Sequence, residues 1–290
     1  MSPYIQSLRL RTLPLSMSGI ILGTGLACGL HPNWWVFALA ICTTLSLQIL
    51  SNLSNELGDA LKGTDADQHG REAYGLQAGT ITIPQMKTMI ALFVGLSVVF
   101  GLALIAVAFW DEIAASPFTF HLSPFIFICL GLLAIIGAMT YTLGKHSYGY
   151  IGLGDLGVFL FFGLLSTLGA FYLQVQTITA EAVWAAIAIA LPIVGVLNLN
   201  NVRDMPNDRL HGKRTFASLL GPLGGRIYHA CLLIACLVIF AALGHFWPLL
   251  IVPVWTWHLM YIFRHDGSRL DLQMPVLMFT TILVAILACI

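Results

Sequence analysis

The sequence predicts an all-α polytopic membrane protein, a bundle of about nine transmembrane helices with its polar residues gathered at one end. Three observations carry that expectation. Hydrophobic residues make up 58% of the 290-residue chain and charged residues 9%, with a mean hydropathy of +0.89. Apolar stretches long enough to cross a bilayer recur along the whole chain. Every Lys and Arg falls on one side when those stretches are threaded alternately. A soluble domain is about 25% charged, which excludes a soluble enzyme or a disordered chain. The 13 Lys+Arg balance the 13 Asp+Glu, so no basic field attracts nucleic acid. The expected surroundings are a lipid bilayer, with no nucleic acid and no obligatory protein partner.

A spanning helix needs about 20 mostly apolar residues. In chain order the nine candidates are Leu13–Leu30, Trp34–Leu53, Pro84–Trp110, Pro124–Leu143, Leu153–Val175, Ala182–Leu199, Tyr228–Leu243, Phe246–Phe263 and Pro275–Ile290. The first reads as a span rather than a cleaved leader, because the chain stays apolar to its end. Between the spans lie the longer polar stretches Ser54–Ile83, Asp111–Ser123, Gly144–Gly152, Asn200–Arg226 and Arg264–Gln273. With the N-terminus inside, the inner segments hold all 13 basic residues, from Arg9 and Arg11 to Arg264 and Arg269. The outer loops hold Asp111, Glu112 and Glu181. This segregation predicts the N-terminus on the cytoplasmic side and the C-terminus outside. The six cysteines lie in apolar runs without a C-x-x-C pair and read as small buried hydrophobes.

The polar residues concentrate where the second and sixth spans end inside. The first cluster runs from Asn52 through Asn55, Glu56 and Asp59 to Gly63 and Asp65. The second runs from Asn201 through Arg203, Asp204 and Asp208 to Gly212, Lys213, Arg214 and Thr215. Aligning Asp59 with Asp208 matches Asn52 to Asn201, Asn55 to Asp204 and Gly63 to Gly212. The shared pattern, N-x-x-[N/D]-x-x-x-D-x-L-x-G, reads as an internal duplication of a four-helix unit. Steps of three and four residues put Asn52, Asn55 or Glu56, and Asp59 on one helix face. Asn201, Asp204 and Asp208 share a face if the helix continues, but Pro206 is expected to kink or end it near Met205.

A single acidic helix end is an ordinary solvated cap. Two matched clusters of carboxamides and carboxylates at one membrane face point instead to a site. Oxygen-only donors of this kind suit Mg²⁺ together with substrate phosphate. The loop charges agree: Glu56, Asp59, Asp65, Asp67 and Glu72 outnumber Lys62 and Arg71, whereas Arg203, Arg209, Lys213 and Arg214 outnumber Asp204 and Asp208. Tyr141 and Lys145 lie one helical turn apart at the same inner end, where an interfacial tyrosine and a snorkelling lysine are also expected. Asp155 reads as a helix cap. The aromatic run Phe159, Phe161, Phe162, Phe171 and Tyr172 packs, faces lipid or lines a tunnel for an isoprenoid chain. A transporter is the competing class, but the polar groups gather at one face rather than along a path across the membrane. A structural membrane subunit leaves the matched clusters without a purpose.

At these residues the chain resembles the UbiA-type intramembrane aromatic prenyltransferases, whose two motifs read roughly N-D-x-x-D and D-x-x-x-D. Asn55-Glu56-Leu-Gly-Asp59 and Asp204-Met-Pro-Asn-Asp208 match them, with Glu56 in place of the usual Asp. Within the group it is most similar to the 1,4-dihydroxy-2-naphthoate polyprenyltransferases of menaquinone synthesis. Arg11-Thr-Leu-Pro14, Leu61-Lys-Gly63-Thr-Asp65 and Gly149 to Gly163 carry that likeness. The resemblance implies transfer of a polyprenyl group from a polyprenyl diphosphate to the naphthoate with loss of CO₂, giving demethylmenaquinone. The same group also includes enzymes acting on 4-hydroxybenzoate or homogentisate. It implies Mg²⁺ held by Asn55, Glu56, Asp59, Asp204 and Asp208, and catalysis by Asp59, Asp204, Asp208, Tyr141 and Lys145. Substrate contacts are implied for Asn52, Asp65, Arg71, Asn201, Arg203, Lys213 and Arg214. The acceptor's carboxylate is expected on Arg71, Lys145 or Arg203. The whole chain, 1–290, is expected to form one domain in the cytoplasmic (inner) membrane of a bacterium.

Overall fold

The computed structural model describes residues 3–27, 32–63, 75–116, 119–145 and 147–290. The chain folds into helices: α1 Leu13–Leu26, α2 Trp34–Lys62, α3 Ile83–Ala108, α4 Leu122–Thr140, α5 Gly154–Val175, α6 Ala180–Leu210, α7 Phe216–Ala242, α8 Val252–Arg264 and α9 Gly267–Leu287. The one β feature among the described residues is an isolated bridge between Ile151 and Arg214.

Among the described residues, seven of these helices, α2 to α7 and α9, are long and apolar enough to cross a membrane. The expected count of nine is therefore not reached by length. The described part of α1 has 14 residues. The eighth stretch is divided: Trp247–Ile251 winds as a 3₁₀ turn and only 13 residues follow as α8. Pro248 and Pro253 sit in the first turns of these two pieces. Each removes a backbone donor, and the run winds as a 3₁₀ turn before it becomes α-helical.

α2 and α6 run well past their expected ends at Leu53 and Leu199. With 29 and 31 residues they are about 43 and 46 Å long, against a hydrocarbon core of about 30 Å. Asn52–Asp59 and Asn201–Asp208 are thus helical, on helix ends that overrun the apolar core. Pro206 does not end α6, which continues to Leu210. The proline forfeits one backbone bond within the last turns. Beyond it, the N–H groups of His211 and Lys213 still reach the carbonyls of Asn207 and Asp208, at 3.2 and 2.8 Å. The two helix ends are also built alike. Gly63 and Gly212, each four residues after an aspartate, adopt left-handed φ angles of 72° and 69°, the conformation that ends helices and favours glycine. After each connection a threonine caps the next helix, Thr82 with Gln85 on α3 and Thr215 with Ser218 on α7. The matched sequence pattern therefore corresponds to a matched local structure.

α6 is the most buried of the spans, with 72% of its apolar window inside the bundle against 11% for α4. It contacts α1, α5, α7 and α9. Small residues permit this: a Cβ on Gly163 of α5 would lie 2.2 Å from that of Ala190 on α6. Without a hydrophobic force between helices in lipid, such close backbone approach provides the packing energy. Within α5, Phe159–Leu165 forms a π-helical turn. His229 of α7 meets His258 of α8 at 2.9 Å, and His258 meets Gln273 of α9 at 2.8 Å. Asn198 of α6 donates to the Gly225 carbonyl at 3.0 Å. His229, His258, Gln273 and the amide nitrogen of Asn198 are thereby paired across helices.

Candidate active site

The ends of α2 and α6 face one another across a cavity of about 490 Å³. Its mouth is lined by Asn52, Asn55, Asp59, Asn201, Asp204 and Asp208. Its interior is apolar, with Ile20, Ala40, Leu104, Phe127 and Leu173 at the far end. Phe161, Phe162 and Leu165 of the π-helical turn form part of the wall. Among the described residues, four aspartates (Asp59, Asp204, Asp208, Asp271) and four cations (Arg9, Arg11, Arg203, Lys213) line it, so the charges balance.

The carboxylates are held individually. Asp59 accepts a hydrogen bond from the Tyr150 hydroxyl at 2.7 Å. Arg203 grips Asp204 through two bonds of 2.8 Å and donates its remaining arm to Asp271. Asp208 is buried, with Oδ1 3.3 Å from the Lys213 ammonium. Its Oδ2 has no hydrogen-bond partner among the described residues. Burial works against the Lys213 charge. The surrounding Asp208, Asp59, Tyr150 and Asp204 outweigh that, holding the amine above its ordinary pKa. Lys213 thus brings its charge to Asp208 in a mouth that it shares with Asp59 and Asp204.

The connection from Tyr141 to Leu153 closes this mouth. Thr142 donates to the Ser54 carbonyl and to Asn55 Oδ1, at 2.9 and 3.2 Å. Lys62 donates to the Thr142 carbonyl at 2.6 Å and to the Ser147 hydroxyl, with its ammonium 3.7 Å from the centre of the Tyr150 ring. The Tyr150 carbonyl accepts the Arg214 N–H at 3.0 Å, joining this connection to the second motif. Tyr141 and Tyr148 line the cavity and meet edge to face at 5.2 Å. Burial pushes the Tyr148 phenol up to about 12 and the Tyr141 phenol higher still. Both are neutral donors, not phenolates, at physiological pH.

The expected site residues divide accordingly. Asn52, Asn55, Asp59, Tyr141, Asn201, Arg203, Asp204, Asp208 and Lys213 come together at the cavity. Glu56 does not line it, against the expectation that it is a ligand. Its carboxylate accepts from the Ser7 hydroxyl at 3.2 Å and the Leu76 N–H at 2.9 Å. Lys145 and Arg214 are exposed and outside the cavity lining. Asp65 and Arg71 lie outside the described residues. Asp155 is not a cap. It is buried in the first turn of α5 and hydrogen-bonded to Tyr228. Sequence reasoning gives Tyr150 and Asp271 no role of their own and takes Arg9, Arg11 and Lys62 only as topology signals or as parts of the resemblance. Only the tertiary fold brings them to the motifs, and a basic residue near a span end is read first as a topology signal.

As placed, no three acidic, histidine or cysteine side chains among the described residues converge to hold a metal ion. The donors nevertheless fit a hard divalent cation. They are all oxygens, one buried oxygen of Asp208 is unpartnered, and Mg²⁺ takes only one or two carboxylates when phosphate and water complete its shell. A polar, metal-competent mouth above an apolar cavity suits an anionic headgroup with a hydrocarbon tail.

Comparison with known proteins agrees with this geometry. The chain belongs to the UbiA prenyltransferase family, whose model matches residues 16–283. It is 42% identical over 262 residues to 1,4-dihydroxy-2-naphthoate octaprenyltransferase of Escherichia coli, covering 88% of this chain and 79% of that protein. The enzyme of the same description from Haemophilus influenzae is 40% identical over 232 residues, covering 79% and 72%. A UbiA homologue from Archaeoglobus fulgidus bound to GPP and Mg²⁺ has the same fold, with a TM-score of 0.67 at 17% identity over 99% of this chain and 98% of that one.

One packing contact sets how the mouth closes. A Cβ on Gly58 would lie 2.5 Å from Thr142 Oγ1 and 2.8 Å from its carbonyl carbon, whereas one on Gly95 has no atom within 4 Å. Gly→Ala in a helix normally gains up to about 1 kcal/mol. Gly95→Ala is expected to keep that gain. Gly58→Ala should instead lower the thermal midpoint in detergent, by an overpacking cost of about 1–3 kcal/mol. Equal midpoints for the two variants would refute the contact.

Proposed function

We propose that this chain transfers a polyprenyl group from a polyprenyl diphosphate to 1,4-dihydroxy-2-naphthoate, with loss of CO₂, at the mouth between α2 and α6. The observation that carries the reading is the pairing of two aspartate-bearing helix ends over an apolar cavity. The relatives' names supply the acceptor and product class. The reading takes residues 1–290 as one membrane domain and needs no protein partner. It places the site at the cytoplasmic face of a bacterial inner membrane. All described Lys and Arg residues lie toward the end of the bundle that carries the site, and Asp111, Glu112 and Glu181 lie at the other.

The chain's own groups perform most of the work. Asp59, Asp204 and Asp208, with Asn55 and Asn201 beside them, would hold Mg²⁺ and the diphosphate, as the GPP- and Mg²⁺-bound homologue suggests. Mg²⁺ bound there supplies Lewis-acid stabilisation of the leaving diphosphate. Lys213 and Arg203 add fixed positive charge at the same place. The cavity walls receive the prenyl tail and keep water from the allylic cation. The faces of Phe161, Phe162 and Tyr148 are available to stabilise that cation. An electron-rich ring carbon attacks it, so no side-chain nucleophile is required.

The acceptor is tested by offering purified protein one polyprenyl diphosphate with 1,4-dihydroxy-2-naphthoate, 4-hydroxybenzoate and homogentisate in turn, and weighing the products by mass spectrometry. Demethylmenaquinone is the expected main product. Turnover of 4-hydroxybenzoate or homogentisate without the naphthoate would reassign the acceptor.

For the aspartates, Asp59→Asn and Asp208→Asn each remove one negative charge at similar size. Solvated helix ends would tolerate this within about 0.5 kcal/mol. A role on the leaving group instead costs about 3 kcal/mol, more than a hundredfold in rate. Chelator should abolish transfer, and Mg²⁺ or Mn²⁺ should restore it. Glu56→Gln should leave the Mg²⁺ concentration for half-maximal rate unchanged. Near-normal rates in both Asp variants would remove the basis for the site.

Orientation is checked by single cysteines at Lys145 and Asp111 in a cysteine-free background. The membrane-impermeant reagent should label only the Asp111 position from outside intact cells. Labelling at the Lys145 position would invert the arrangement.

A further inference from the structure

We propose that the side-chain oxygens of Gln48 on α2 and Asn200 on α6 form the subsite that holds the hydroxyl groups of the aromatic acceptor. The inference rests on the proposed acceptor being a dihydroxy aromatic acid. Both residues line the cavity. Gln48 lies seven residues before Asn55 on α2, and Asn200 lies four before Asp204 on α6. They are therefore about 10 and 6 Å deeper than the motifs, below the place proposed for the diphosphate.

Hydrogen bonds fix which way each amide is turned. The Leu8 carbonyl accepts from Asn52 Nδ2 at 3.0 Å, so Asn52 Oδ1 is left to accept from Gln48 Nε2, at 3.2 Å. Gln48 Nε2 also donates to Thr12 Oγ1 at 3.3 Å, and Thr12 Oγ1 donates to the Arg9 carbonyl at 2.9 Å. A carbonyl only accepts, so this chain has one direction, and it leaves Gln48 Oε1 over. On α6, Asn200 Nδ2 donates to the Val196 carbonyl at 3.2 Å, which leaves Oδ1 over. No bond to either oxygen is formed among the described residues, and both remain accessible. An amide oxygen without a donor is costly in apolar surroundings.

The chemistry of the reactants selects the ligand. Two carbonyl oxygens require O–H or N–H donors. A diphosphate on Mg²⁺ offers acceptors, and a prenyl chain offers neither donor nor acceptor. Of the proposed reactants only the aromatic ring carries donors, its hydroxyl groups. The walls agree. Gln48 continues the α2 stripe of Asn52, Asn55 and Asp59 into the cavity, and Thr44 extends it one turn further. α3, α4 and α5 instead bring Leu102, Phe127, Leu132, Phe161 and Leu165, which suit the tail. Asn200, the nearer to the motifs, takes the hydroxyl beside the reacting carbon, and Gln48, the deeper, takes the far one. The prenyl C–O bond breaks with its electron pair leaving on the diphosphate, and a ring π pair forms the new C–C bond. The ring–carboxylate bond then breaks, its pair restores aromaticity, and CO₂ departs. Both hydroxyl groups keep their protons.

The test uses two acceptors, 1,4-dihydroxy-2-naphthoate and 1-hydroxy-2-naphthoate. The second keeps the hydroxyl beside the reacting carbon and lacks the far one. Relative kcat/KM is measured for the unaltered protein, Gln48→Met and Asn200→Leu. The intrinsic reactivity of each ring is the same in every protein, so a change in preference reports the contact. Gln48→Met should shrink the preference for the dihydroxy ring about tenfold, the effect of one hydrogen bond to a buried acceptor. KM for the polyprenyl diphosphate should change less than about twofold. Asn200→Leu should slow both acceptors alike and leave the preference as it was. Gln48→Asn, which keeps the amide, should hold an intermediate preference and covers a Met variant that does not fold. An unchanged preference in the Gln48 variants would leave the oxygens to water and overturn the proposal. So would a rise in the diphosphate KM as large as the loss on the dihydroxy ring. If the unaltered protein turns over neither ring, the acceptor reading fails before any variant is compared, and the subsite falls with it.

Discussion

Three aspartates can face one cavity only with positive charge among them. Asp59, Asp204 and Asp208 line the same mouth, and Lys213 lines it with them, 3.3 Å from Asp208. Close carboxylates repel, and burial raises the cost of each charge. The rest of the polar end serves this arrangement. Gly212 turns the chain so that Lys213 can fold back on Asp208. Tyr150 bonds Asp59 with its hydroxyl and the second-motif loop with its carbonyl. Arg203 neutralises Asp204 from behind.

The bilayer sets where this can happen. Ionised groups are costly within hydrocarbon, so the acidic residues sit on helix ends that overrun it. α2 and α6 provide those ends because their 29 and 31 residues exceed what a span needs. Below them the demands reverse. A cavity for a hydrocarbon tail requires apolar walls and room, and both come from helix shape as much as from side chains. Close packing of Gly163 on Ala190 draws α5 onto α6, while the π-helical turn beside it presents Phe161, Phe162 and Leu165 to the cavity. π-helical turns recur at functional sites for this reason.

Much of this was legible in particular residues. The Asn52–Asp59 and Asn201–Asp208 spacings identified the two helix faces, and Gly63 and Gly212, matched in the repeat, both turn out to end their helices with left-handed φ. Where the structure departs from the local reading, a local rule meets a tertiary contact. Pro206 is a helix breaker by rule, yet so near the end of α6 it forfeits one bond while the following turn remains closed. Glu56 satisfies the motif spacing, but a residue at the edge of a stripe takes whichever neighbour the fold supplies, and here that is Ser7 and Leu76. Pro248 and Pro253 divide an apolar run that hydropathy alone counts as one span.

The sequence by itself determined the solvent, the helices and the chemistry of the motifs. Hydropathy, charge segregation and period are properties of composition and order along the chain. The tertiary structure alone decided which cations belong to the site. Arg9, Lys62 and Arg203 are basic residues near span ends, indistinguishable by pattern from Lys145 and Arg214. Arg9 and Arg203 line the cavity and Lys62 braces its closing connection, while Lys145 and Arg214 are exposed. A long side chain's partner depends on which elements meet across space. That meeting is set by helix packing, caps and left-handed turns between residues far apart in the chain, which no local spacing encodes.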